Sequence, residues 1–169
     1  MTYPPILGFA AFSGTGKTRL LTRLIPLLKQ RGLNIGVIKH SHHDFEIDYP
    51  GKDSYQLRAS GATPVMIVSP YRSALITEFY PHREISLKEQ LAKFPMAGLD
   101  LILVEGFRHE HFTKIELHRP SLGKELLYLN DADIIAIASD QPLGTPDYLP
   151  CLDLNNPLAI ADYIFHYFF

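Results

Sequence analysis

The sequence predicts a three-layer α/β fold, a mostly parallel β-sheet with helices on both faces and additional antiparallel edge strands. Three observations carry this expectation. Short, continuously apolar runs ending in polar clusters recur along the chain, as in "ILGFAAF" at residues 6–12 and "LDLILVEG" at 99–106. Strands buried on both faces of a parallel sheet have this pattern. Segments with apolar residues at helical spacing fall between the runs, and alternation of the two kinds is the signature of βα units. The first run also leads through a glycine-rich loop directly into an amphipathic segment, "SGTGKTRLLTRLIPLLKQ".

In chain order, the first strand covers 6–12 and the first helix 17–30. Leu20, Leu21, Leu24, Leu27 and Leu28 fall near one face of that helix, with Arg19, Arg23 and Lys29 off it. Gly32 suits its C-terminal cap, and Pro26 kinks it or removes one hydrogen bond. "LNIGVIK" at 33–39 is the second buried run. Asp53 with Gln56, and Ser86 with Glu89, have capping-box spacing, in which each side chain satisfies an amide the helix start leaves unpaired. "TPVMIVS" at 63–69 is a further apolar run, whereas "SALITEFY" at 73–80 and "KIELHR" at 114–119 are shorter or alternating and suit edge or antiparallel positions. "DIIAIAS" at 133–139 is the last strong strand, and Asn156 followed by Pro157 opens a C-terminal helix.

The 169 residues, 46% hydrophobic and 20% charged, have ordinary globular composition. No repeat, low-complexity tract or linker interrupts them, so residues 1–169 are expected to form a single nucleotide-binding domain. A net charge of −2 supplies no global basic field for nucleic acid or an anionic membrane, so phosphate recognition must be local. Cys151 is the only cysteine, which excludes an intrachain disulfide and a CxxC metal site and suits a reducing cytosol. No apolar stretch approaches the ~20 residues of a membrane span. The opening "MTYPPILGF" lacks a basic region before its apolar part, and the expected location is cytoplasmic.

"GTGKT" at 14–18 follows a buried-strand pattern and precedes an amphipathic helix, the context a P-loop requires. Small residues let successive backbone N–H groups converge on phosphate oxygens, and the helix N-terminus adds its field. Lys17 can reach the β- and γ-phosphates, and the Thr18 hydroxyl can join a Mg²⁺ shell. The full P-loop pattern would place glycine at Ala11. Alanine is acceptable there if the residue keeps the negative φ of the strand it ends. The fold expected is therefore P-loop NTPase-like.

In open parallel sheets, ligands bind beyond the carboxyl ends of the strands, so residues following each buried run are candidates for one crevice. Glu105 closes its strand and is a Mg²⁺ candidate; a solvent-facing strand-end acid is the alternative. "HSHHD" carries His40, His42, His43 and Asp44. It can serve as a loop over the γ-phosphate, with Asp44 in the Mg²⁺ shell and His43 or Asp44 positioning water, or as a transition-metal site, or as a solvated loop. Asp140 can accept from N1–H and the exocyclic amine of guanine, selecting GTP, or can form a local turn. Arg72 can pack on the base, meet a phosphate, or be solvated.

Across residues 9–143, "FAAFSGTGKT", "VIKHSHHDFEIDYPGKDSYQLRASGA", "LDLILVEGF" and "IAIASDQPL" closely resemble, in this order, the MobB family of molybdopterin-guanine dinucleotide biosynthesis adaptors. The H-x-H-H-D and PGKDS segments are shared with few other P-loop families. The resemblance implies a GTP-binding, weakly hydrolysing protein that works with the MobA guanylyltransferase and other molybdenum cofactor proteins as GMP is attached to molybdopterin. It also implies a homodimer with an extended sheet. Carried over residue by residue, Gly14, Thr15, Gly16, Lys17 and Thr18 resemble the phosphate and Mg²⁺ positions, with Glu105 as second metal contact, and Ser13 just before them is a further nucleotide-binding candidate. Ala11 fits the family's loop, whereas Arg19 stands where a second threonine is expected.

Three functional readings follow. The first is the GTP-binding adaptor, its hydrolysis slow because no arginine finger or positioned glutamine is evident near the phosphates. The second is a P-loop kinase acting on a small metabolite, with Glu105 or Asp44 as base and Arg108 or Arg119 in a lid. The third is a structural module that assembles through its sheet edge.

Overall fold

A computed structural model describes residues 3–41 and 44–169. In chain order its elements are β1 (Ile6–Ala10), α1 (Lys17–Gln30), β2 (Ile35–Lys39), α2 (Asp53–Ala59), β3 (Val65–Val68), β4 (Ser73–Ile76), α3 (Leu87–Leu91), β5 (Leu101–Glu105), β6 (Lys114–His118), β7 (Ile134–Ser139), β8 (Cys151–Asp153) and α4 (Pro157–Phe168). Although no linker marks the division, the chain forms two compact units, Met1–His40 with Ser86–Phe169, and Ser41–Ile85.

The larger unit is built on a six-stranded sheet in the order β2-β5-β1-β6-β7-β8, with every neighbouring pair parallel. The strongest apolar runs, β1 and β5, lie at its centre. Alternation divides them between the two faces. Leu7, Phe9, Leu101, Leu103, Ile115 and Leu117 point to the face covered by α1 and α4, where Leu20, Leu24, Leu28, Ile160 and Ile164 meet them. On the other face, the stretch after α3 lies over Gly36, where an added Cβ would come within 2.7 Å of Phe94 and Leu99. Towards β7 that face is closed by a 3₁₀ turn at Leu127–Leu129 and by Leu143 and Leu149.

The expected helix ends mostly form. Ser86 Oγ accepts from the Glu89 amide and Asn156 Oδ1 from that of Ala159, so both residues cap their helices by side chain. Asp53 differs, being the first residue of α2, with Lys52 at the cap and no side-chain cap bond. Pro26 lies inside α1 on its exposed side, where the missing N–H costs one hydrogen bond without ending the helix.

Two strand expectations are corrected. "KIELHR" was expected at an edge or in an antiparallel pair, yet β6 is parallel and lies between β1 and β7. Its alternating polar residues are buried and satisfied. Lys114 Nζ lies 2.8 Å from Asp131 Oδ2 and 3.7 Å from Asp133 Oδ2. Glu116 accepts from the Leu127 and Tyr128 amides at 2.8 and 2.9 Å. Alternation therefore marks a polar face that is paired inward, not one that meets water. Between Lys114 and Ile115 the register with β7 shifts, because Lys114 pairs with Ile134 but Ile115 with Ala136, leaving Ile135 as the extra residue of a bulge.

The second correction concerns "TPVMIVS", which had the pattern of a doubly buried strand. In the smaller unit, among the described residues, β3 pairs only with β4, antiparallel, in a two-stranded sheet of its own. The Ser69–Arg72 turn sends the chain straight back, with the Ser69 amide donating to Arg72 O at 2.9 Å and Ser69 Oγ accepting from the Arg72 amide at 3.1 Å. The apolar residues Met66, Val68 and Leu75 are left exposed. β8 was not anticipated, its three residues being too few to show a pattern.

Glu116 gives a measurable consequence. Burial raises its pKa, and the two amides that donate to it oppose this. The folded state thus holds the proton to higher pH than the unfolded chain does, so stability falls as pH rises from the ordinary carboxyl value to the raised one. Glu116→Gln can accept through only one oxygen and leaves one buried amide unpaired, which costs about 1–3 kcal/mol. Urea unfolding at neutral pH should show that loss, and the acid-range decline of the parent should be absent from the variant.

Candidate functional site

The carboxyl end of β1 opens into the segment that enters α1. Gly14 and Gly16 have φ of +84° and +100°, a left-handed backbone that only glycine adopts freely. Gly16 is the N-cap of α1, and no side chain caps that helix start. Its first amides are therefore left for an anion. Ser13, Gly14 and Thr18 are exposed, whereas Thr15 is buried and donates its hydroxyl to Phe12 O at 2.8 Å. Ala11 has negative φ, since Phe107 is the one non-glycine with positive φ among the described residues. The loop therefore needs no glycine at 11.

Lys17 Nζ folds back and donates to Ala11 O at 3.1 Å. Burial lowers its pKa, nearby Glu105 opposes this, and Lys39 and Arg108 add to the lowering. Glu105 ends β5, opposite Phe9 of β1, and lies 3.4 Å from Lys39 Nζ with its side chain 15% exposed. It is thus held among cations, not turned to solvent. Immediately after it, Gly106 and Phe107 both take positive φ, +100° and +53°, and the Phe107 ring stacks on His40 at 4.4 Å. An added Cβ on Gly106 would approach His40 Cβ to 2.6 Å. Two successive left-handed residues form a sharp, over-determined turn, of the sort that clusters at binding sites.

On the other side of β1, Arg119 directly follows β6. Its Nε donates to Thr15 O at 2.8 Å and its Nη1 to Asp140 Oδ2 at 2.6 Å. Asp140 Oδ1 is buried without a hydrogen-bond partner among the described residues. A cleft of about 490 Å³ lies at the ends of β7 and β8, lined by residues including Asp140, Leu143, Cys151 and Asn155. Arg108 and Lys124 place their charges 5.7 and 5.8 Å from the Phe12 ring centre.

The structure thus brings together Ser13 to Thr18, Glu105 and Asp140, the last through Arg119. Asp44 and Arg72 belong to the smaller unit, where both are exposed. Asp44 Oδ1 accepts from the Phe45 amide, and Arg72 closes the β3–β4 turn. His43 and His42 lie outside the described residues. Among the described residues no three His, Cys, Asp or Glu side chains group as a metal site.

The sequence places Arg108 and Arg119 only as lid candidates of the kinase reading, whereas Arg119 donates to Thr15 O and Arg108 lies over Phe12, both beside the loop. The signal for Arg119 is that it is the residue after a buried strand, hidden because "KIELHR" has the alternation of an edge strand.

A family model for MobB, "Molybdopterin guanine dinucleotide synthesis protein B", matches residues 6–140. The molybdopterin-guanine dinucleotide biosynthesis adapter protein of Escherichia coli K12 is 47% identical over 166 residues, 96% of this chain and 93% of that protein. Its Haemophilus influenzae namesake is 40% identical over 160 residues, 95% of this chain and 87% of that one. A crystal structure of molybdopterin-guanine biosynthesis protein B superposes with a TM-score of 0.70 at 27% identity, covering 96% of this chain and 99% of the other.

The turn after Glu105 can be probed against a neutral reference. Gly98 has φ of +77° with nothing within 4 Å of an added Cβ, so Gly98→Ala should cost only the left-handed strain, about 1–2 kcal/mol. Gly106→Ala carries that strain and also the contact with His40 Cβ, and overpacking costs a further ~1–3 kcal/mol. Chemical denaturation should therefore rank Gly106→Ala as the clearly worse variant.

Proposed function

The chain belongs to the molybdopterin guanine dinucleotide synthesis protein B family, MobB, and on that premise we propose that it is a GTP-binding adaptor in molybdopterin-guanine dinucleotide biosynthesis. The observation that carries the reading is the exposed, uncapped start of α1 with Lys17 and Glu105 beside it. This is a cradle for a Mg²⁺-bound triphosphate. Backbone amides of residues 14–18 would take phosphate oxygens, Lys17 would leave Ala11 O for the β- and γ-phosphates, and Thr18 with Glu105 would face the ion. Ser13 lines the loop.

Guanine selection rests on Asp140, whose buried, unpartnered Oδ1 suits a donor edge such as N1–H with the exocyclic amine. Hydrolysis would be weak, because Arg119, the guanidinium against the loop backbone, is held by Asp140 and Thr15 O. As an adaptor, the protein would hand or orient nucleotide for a MobA-type guanylyltransferase and meet other molybdenum cofactor proteins. Self-association into a homodimer is supported by the exposed apolar residues Met66, Val68 and Leu75 on β3 and β4, since an isolated two-stranded ribbon gains stability by further pairing. A cytoplasmic place of action is supported by the lone exposed cysteine. Among the described residues no helix is long and apolar enough to cross a membrane.

A titration with Mg²⁺ tests the reading. GTP should bind at least about tenfold more tightly than ATP, one hydrogen-bonded edge being worth that discrimination. Lys17→Ala should lose at least about tenfold in GTP affinity with an unchanged melting temperature. Equal affinity for ATP and GTP, or none for either, would overturn it. Nucleotide consumption driven by a small metabolite without any partner protein would favour the kinase reading instead.

A further inference from the structure

We infer that Arg119 is the positioning residue for base selection, holding the Asp140 carboxylate edge-on while bracing the phosphate loop through Thr15 O. The inference deepens the proposed function and rests on its assignment of Asp140 to the base. Three observations meet at this one side chain. Its Nε donates to Thr15 O at 2.8 Å, so the guanidinium lies against the backbone of the loop. Its Nη2 would be 3.8 Å from a Cβ on Gly16, the residue that caps α1. Its Nη1 donates to Asp140 Oδ2 at 2.6 Å, an ion pair in which the side chains are only 24% and 19% exposed.

A carboxylate that reads two adjacent donors must present both oxygens in one plane. An aspartate at a strand end turns freely about its side-chain bonds unless something fixes it. The Arg119 contact to Oδ2 does so without using up that oxygen, because each carboxylate oxygen has two acceptor sites. Oδ1 remains buried and unpartnered, and Oδ2 keeps a second lone pair for the same incoming edge. The planar fork of arginine is what allows one side chain to address the Thr15 carbonyl and the carboxylate together, while a lysine offers a single point charge. Base recognition and loop shape therefore share one rigid group. By reciprocity, what one end gains in binding the other must feel.

The test compares GTP, ATP and inorganic tripolyphosphate, which has no base, on the intact protein with Mg²⁺. In Arg119→Lys the GTP-over-ATP preference should fall about tenfold, the loss of one charge-assisted hydrogen bond, while ATP and tripolyphosphate weaken together and by less than GTP. Asp140→Asn should lose the preference too, and the double variant should lose no more than Asp140→Asn alone, because both changes break one link. Equal weakening of GTP, ATP and tripolyphosphate in Arg119→Lys, with the preference kept, would reduce Arg119 to a loop brace and overturn the inference. Additive losses in the double variant would do the same. A parent protein that binds GTP and ATP alike is a different failure, that of the base assignment itself, and it shows before any variant is made. Melting curves verify folding, and Arg119→Gln replaces the lysine variant if that one does not fold.

Discussion

Everything at the candidate site depends on β1 lying between β5 and β6 with all three strands parallel. Parallel neighbours end on the same side of a sheet, so the loop after β1, the Glu105–Phe107 turn after β5 and Arg119 after β6 emerge together. Pairing Phe9 with Glu105 and Ala10 with Glu116 sets how far each strand reaches. A slip of one residue would turn Leu7 and Phe9 away from α1 and α4 and expose the other set. The core therefore enforces the register, and the register places the chemistry.

That constraint explains why β6 can be central despite its composition. Lys114 and Glu116 are buried, which would be costly for unpaired ions. Asp131 and Asp133 on the approach to β7, and the amides of Leu127 and Tyr128, supply the partners. The segment between β6 and β7 is fastened to the sheet by polar contacts where other strands use apolar ones. Such a network is stable only when complete, since removing one member strands the others in a low-dielectric setting. Arg119 continues the same strand, and its position at the loop inherits that rigidity.

The phosphate loop, the strong strands β1, β5 and β7, and helices α1 and α4 were legible in the sequence because each is specified locally, by a glycine pattern, an unbroken apolar run or a cap residue. β3 and β6 were not, because apolar content alone does not say whether a strand has neighbours, and alternation alone does not say whether its polar face is wet. Glu105 and Asp140 could be found from their positions at strand ends. The gathering of Arg108 and Lys124 over Phe12 could not, because Phe12 carries no ligand-binding signature of its own.

Net charge likewise concealed the local field. A chain of net charge −2 gathers Lys17, Lys39, Arg108, Arg119 and Lys124 about one loop, and each cation is already engaged. The engagements differ in strength. A cation over an exposed aromatic ring gains about 0.5–1 kcal/mol, whereas a hydrogen bond involving a charged group is worth about 1.5–3 kcal/mol. The contacts of Arg108 and Lys124 with Phe12 are therefore the weaker ones. Arg119, held by a carboxylate and a carbonyl at once, is the more firmly fixed. Of the five cations, two are thus lightly held and Arg119 stays in place. Only the fixed one touches both the phosphate loop and Asp140.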